Sequence, residues 1–144
     1  MPQITEQYIE TGQLYVIYRD FPLPSIHPSA VLAAHVANCA AEQDTFWPMH
    51  DRIFAGFDAR EWGSGVEADF ATFLGYADEL AIDTNTLNDC VRTNRHASQI
   101  ETDFNGGAEQ GVRSTPSFTI NDQLVVGAQP FPFWQEQFDA ILGQ

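Results

Sequence analysis

The chain has 144 residues, 44% apolar and 12% aromatic, which is the size and composition of one folded domain with an ordinary hydrophobic core. Six basic residues stand against 20 acidic ones, for a net charge of −14 and a pI near 4.2, so nucleic acid and anionic membrane surfaces would be repelled. All six are arginine, and without a lysine neither Schiff-base chemistry nor a lysine-bearing phosphate loop can be built.

No apolar run approaches the ~18 residues of a membrane-spanning helix. The opening MPQITEQYIETG has neither a basic nor an apolar region of signal-peptide type, so no signal peptide is expected in this chain. No repeat or linker interrupts the sequence, and residues 1–144 read as a single domain.

Residues 3–10 read as the end of a helix, with Ile4 and Tyr8 on one face and Gly12 placed to stop it in a left-handed cap. Residues 14–18, LYVIY, form an apolar run that reads as a strand buried on both faces. Pro22 and Pro24 then enforce an extended exit. Residues 28–43 are alanine-rich and helical, with Leu32, Val36 and Cys39 on one stripe. A second helix starts near Thr45, as N-cap, with Pro48 in its first turn; residues 57–65 follow as a loop.

Residues 66–80 and 85 to about 95 are helical, the latter announced by Asp83 and Thr84. Another helix, about 96–110, reads as weaker because Gly106 and Gly107 interrupt it. The period then changes: residues 117–120, an Asn121-Asp122 turn and residues 123–126 predict a β-hairpin. A last helix, about 132–142, carries Phe133, Trp134, Phe138 and Ile141. This order predicts an α/β fold with a mixed sheet.

Three segments, YIETGQLYVIYRDFPL, HPSAVLAAHVANCAAEQDTFWPMHDRIF and GVRSTPSFTINDQLVVGAQP, resemble consecutive stretches of DsbA-like thioredoxin-fold proteins. Their order and spacing extend the resemblance over nearly the whole chain. It implies an α/β, thioredoxin-like fold of DsbA type with a helical insertion at about 28–110. It further implies dithiol exchange with unfolded or extended polypeptides, no cofactor, and an extracytoplasmic setting. Ser114, Thr115 and Pro116 become the substrate-facing loop, with Pro116 cis, although only about 5% of X–Pro bonds in folded proteins are cis.

The departure from that family is as informative. Its members open with a strand and a Cys-x-x-Cys at a helix N-terminus, which lowers the pKa of the first thiol. Here no Cys-x-x-Cys occurs, and the only cysteines are Cys39 and Cys90. The chain is therefore expected to lack the first catalytic strand, to hold no catalytic residue and to be inactive as a dithiol catalyst. The alternative is a redox-dead module that binds peptide. The absent strand would lie between residues 14–18 and the hairpin, which leaves three repairs: antiparallel pairing of residues 14–18 with 116–120, a homodimer whose second copy completes the sheet, or a strand and dithiol encoded upstream of Met1.

Cys39 and Cys90 can be read as two free, buried thiols. The resemblance implies instead a structural disulfide between helices, worth about 4 kcal/mol by loop closure and suited to an oxidising compartment. His35 and Cys39, four apart, with His50 and Asp51 on the next helix, sketch a metal site, but the open spacing favours packed histidines and no metal is expected. His27, before Pro28, reads as local packing. Gly106-Gly107 is too sparse to cradle phosphate. Phe131, Phe133 and Trp134 read as pinning the last helix to the sheet, with a peptide groove as the other reading.

Overall fold

Helices occupy most of residues 20–106, one of two compact units into which the chain divides; the other joins residues 1–19 to 107–144. The computed structural model describes residues 2–143.

In the helical unit, α2 (Ala30–Ala41), α3 (Phe46–Asp58), α4 (Val66–Glu79) and α5 (Thr84–Arg92) enclose a core around Val36, Met49, Phe73 and Leu87, each 0% exposed. The alanines of α2 allow this closeness: Ala37 and Ala40 are buried where larger side chains would hold the neighbouring helices apart. Gly56 does the same for α3, because a Cβ there would run into the Tyr76 ring of α4. Tyr76 donates its hydroxyl to Glu61 at 2.6 Å, and burial together with that carboxylate pushes its pKa up to about 12.

The helix starts follow local chemistry. Asp83 caps α5, accepting from the Thr86 amide at 2.6 Å. Thr45 stands at the N-cap of α3, but its hydroxyl donates to the Ala40 carbonyl at 2.8 Å and makes no cap bond. Helix α3 extends to Asp58, so the loop expected from residue 57 begins two residues later. Helix α6 (Ala97–Glu109) runs through Gly106 and Gly107 without a break, correcting the interruption expected there. A Cβ at Gly106 would meet nothing; the helix closes at Gly111, with φ +89°.

The other unit contains the hairpin of β1 (Ser117–Ile120) and β2 (Gln123–Val126), paired antiparallel with Ser117 opposite Val126 and Ile120 opposite Gln123. Asn121 and Asp122 both take positive φ, as a two-residue hairpin turn requires. Helix α7 (Phe131–Leu142) and an N-terminal segment complete it. That segment is a short turn, α1 (Pro2–Ile4), leading into a π-helix over Thr5–Ile9, with the Glu10 amide bonded to the Thr5 carbonyl at 2.9 Å. Ile4, Tyr8, Trp134 and Phe138 form this unit's core, and Tyr8 donates to Asp139 at 2.7 Å.

Residues 14–18 are not a strand. Among the described residues the sheet has two strands, so this stretch has no ladder to join. Tyr15 and Ile17 are 86% and 61% exposed, whereas a strand buried on both faces had been expected; Leu14 still packs on the core of its unit. The antiparallel pairing of this stretch with 116–120 is likewise not formed, and the mixed sheet is reduced to a hairpin.

Candidate functional site

The hairpin determines where Ser114, Thr115 and Pro116 lie. They form the approach to β1, all three exposed, and the Thr115–Pro116 peptide bond is cis. The Pro116 carbonyl accepts from the Gly127 amide at 2.8 Å, which ties the loop to the end of β2; Gly127 makes the turn at φ +85°. Ser117 donates its hydroxyl back to the Ser114 carbonyl at 2.7 Å. Arg113 is turned onto the backbone instead of outward, donating to the carbonyls of Val112 and Ala108 at 2.7 and 2.9 Å. The loop is thus an exposed backbone surface whose side chains offer two hydroxyls, on Ser114 and Thr115, but no carboxylate, imidazole or thiol among residues 114–116. Such a surface can pair with another backbone; it cannot do acid–base or thiol chemistry alone.

The aromatic residues nearby pack. Trp134 is buried, meets Phe118 at 4.7 Å in an edge-to-face contact and donates its indole N–H to the Gln129 carbonyl at 3.0 Å. Phe131 and Phe133 are half-buried against the same cluster. Pinning of the last helix, the first of the two sequence readings, describes these residues.

In the helical unit Cys39 and Cys90 are joined as a disulfide between α2 and α5, and neither thiol is free. Both are buried, and three polar side chains gather beside them. A His96 ring nitrogen, Nε2, lies 2.8 Å from Glu42 Oε1, and that oxygen is 3.5 Å from Cys90 Sγ. Arg95 binds the second Glu42 oxygen and reaches Asp89 at 2.9 Å. Burial pushes the Glu42 carboxyl up, but hydrogen bonds from His96 and Arg95 outweigh it and hold the group below the usual carboxylate range.

His35, Cys39, His50 and Asp51, the set sketched from sequence, are not brought together. Among the described residues the metal-competent group is Cys39, Cys90 and His96. His50 sits 2.9 Å from Asp51 and stacks among Phe46, Trp47 and Phe54. His35 is buried with no hydrogen-bond partner for Nδ1, and burial, aided by His96, holds its pKa below 6.5. It lines an open groove with Leu32, Phe70 and Val91, where the charged Glu67 and Arg92 already bind each other at 3.1 Å. His96 and Glu42 were the residues sequence reading missed. Glu42, three after Cys39 on the same helix face, was a signal; His96, six after Cys90 and beyond the end of α5, gave none.

Comparison with known proteins adds three findings. The sequence model described as thioredoxin matches residues 1–140. The chain is 32% identical over 120 residues, 83% of its length, to a protein named Na(+)/H(+) antiporter NhaA 3 from Salinispora tropica. It is 30% identical over 112 residues, 75% of its length, to Na(+)/H(+) antiporter NhaA 1 from Mycobacterium sp. strain KMS. In both cases it spans 17% of the length of the relative.

Proposed function

Since this chain belongs to the thioredoxin family, we propose that it is a thiol–disulfide oxidoreductase domain of DsbA type whose reactive dithiol is not encoded within these 144 residues, so that the chain by itself is inert in dithiol exchange. One observation carries this: its two cysteines are bonded to each other between α2 and α5, and none stands at the 114–116 loop. Exchange needs a thiolate that can attack or leave. The Cys39–Cys90 bridge, buried and outside any Cys-x-x-Cys, presents no such thiolate.

The second reading is a redox-dead module that holds an extended polypeptide by backbone pairing at the exposed 114–116 loop and along the open edge of β1. The exposure of Ser114, Thr115 and Pro116 and the two-stranded sheet favour it. A second copy of the chain could occupy the same edge. The antiporter relatives extend the proposal: a domain of this type would work beside an ion-transport protein. Transport is not assigned to this chain, in which no helix among the described residues is long and apolar enough to cross a membrane.

Reductant-driven insulin precipitation tests the first reading. The chain should not accelerate it above background. Turnover abolished by Cys39→Ser would overturn the reading by making the α2–α5 bridge the working dithiol. For the second reading, an unfolded, carboxymethylated polypeptide should bind the chain in a calorimetric titration, and no heat of binding would remove it.

A further inference from the structure

At the end of α2 two sulfurs, an imidazole and a carboxylate converge from positions far apart in sequence. The Sγ atoms of Cys39 and Cys90 and one ring nitrogen of His96 all lie within 4.8 Å of one another. Glu42 stands at their edge, its Oε1 2.8 Å from His96 Nε2 and 3.5 Å from Cys90 Sγ but outside the set whose donor atoms all lie within 4.8 Å of one another. While the sulfurs are bonded to each other they carry no negative charge, and the cluster is an imidazole–carboxylate pair resting on a disulfide. Breaking the S–S bond changes its chemistry.

We propose that reduction of the Cys39–Cys90 disulfide converts this junction into a zinc-type metal site, with Cys39 Sγ, Cys90 Sγ and a ring nitrogen of His96 as ligands and Glu42, once its carboxylate turns in from beside His96, as the fourth. The steps balance. An external dithiol supplies two electrons and becomes a disulfide; the S–S bond breaks and each Sγ takes a proton. The metal ion then displaces both protons and forms two thiolate bonds.

Three physical points favour this occupant. Tetrahedral zinc, with bonds of about 2.3 Å to sulfur and 2.0 Å to nitrogen, holds its ligands roughly 3.5–4 Å apart. Two sulfurs freed from their bond separate to van der Waals contact, in that same range, while the backbones stay in place. The donor set of two soft sulfurs, one imidazole and one carboxylate selects zinc and cobalt over magnesium and calcium. Finally, two thiolates and a carboxylate exceed the charge of a divalent ion by one, and Arg95, on the outer Glu42 oxygen, offsets the surplus. The cysteines are covered, but the His96 and Glu42 side chains are 25% and 28% exposed, so the ion would enter from their side. This site is independent of the 114–116 loop and does not rest on the function proposed above.

Disulfide and metal exclude each other, so the junction is a switch between a covalent and a coordinated link of α2 to α5. The test is a cobalt titration of the full-length chain, made metal-free, reduced with a phosphine and kept anaerobic. One equivalent should bind, with a thiolate-to-cobalt charge-transfer band and the intense visible bands of tetrahedral cobalt, all lost on adding zinc. The oxidised chain should show neither. His96→Ala and Glu42→Ala should each weaken cobalt binding by at least about tenfold, and zinc should protect both cysteines of the reduced wild type from alkylation. A reduced chain with no charge-transfer band overturns the proposal. So does a band of equal affinity in both variants, or a reduced chain that loses its helical circular dichroism and does not recover it with cobalt.

Discussion

At the scale of single residues, Asp69 shows how one buried carboxylate organises a loop. It is 1% exposed, yet takes hydrogen bonds from the Ser29 hydroxyl and from the amides of Gly63 and Ser64, the latter two at 2.8 and 3.1 Å. Burial alone would raise its pKa, but these donors overcompensate and hold it below the usual 3.8. Asp69→Ala leaves three donors without their acceptor and should cost about 3 kcal/mol in urea unfolding. Asp69→Asn keeps the size and loses the charge, so its penalty should be smaller and pH-dependent. Because the folded pKa is depressed, the advantage of the carboxylate is fully present well above pH 3.8 and disappears as pH falls through the lower, folded value. The gap between wild type and Asp69→Asn should therefore be constant near neutral pH and shrink in acid; a gap that widens there would contradict the assignment.

At the scale of elements, what the sequence discloses depends on whether an element's partners are local. Helices α2 to α5 were legible because their stripes, caps and prolines are written within a dozen residues each, and the Asn121-Asp122 turn set the hairpin. Residues 14–18 were misread because a strand requires a neighbour that no local pattern supplies; with two strands in the sheet among the described residues, LYVIY takes no regular structure and Tyr15 faces water. Gly106 and Gly107 misled for the opposite reason: glycine lowers helix propensity by about 1 kcal/mol, which is too little to break a helix already running from Ala97. The candidate site divides in the same way. The 114–116 loop could be found by family resemblance, while the meeting of His96 with Cys90 depends on the turn between α5 and α6. The disulfide links two elements with a sequence separation of 51, so the Cys39→Ala/Cys90→Ala double variant should lose about 4 kcal/mol of stability, less whatever strain the bridge holds. Thermal melts of the two proteins without reductant would measure it, and equal midpoints would show that the bridge contributes nothing.

At the scale of the whole molecule, the chain is threaded unevenly. The helical unit is one continuous stretch, residues 20–106, with its own core and its own disulfide, and its ends meet where the Asp20 amide approaches Asp103 at 3.3 Å. Residues 20–106 expressed alone should therefore form the Cys39–Cys90 bridge in air and melt cooperatively; a non-cooperative melt would show that the unit depends on the rest of the chain. The other unit has no such autonomy. Its core joins Ile4 and Tyr8 to Trp134 and Phe138, and the hydroxyl of Tyr8 reaches a carboxylate 131 residues away. During synthesis the segment bearing Ile4 and Tyr8 must wait, its apolar face uncovered, until the helix bearing Trp134 and Phe138 has been made. In that interval the helical unit can already be complete, so the two separated stretches of the other unit are joined last, and synthesis halted before residue 131 would leave one finished unit beside Ile4 and Tyr8 still without the side chains that cover them.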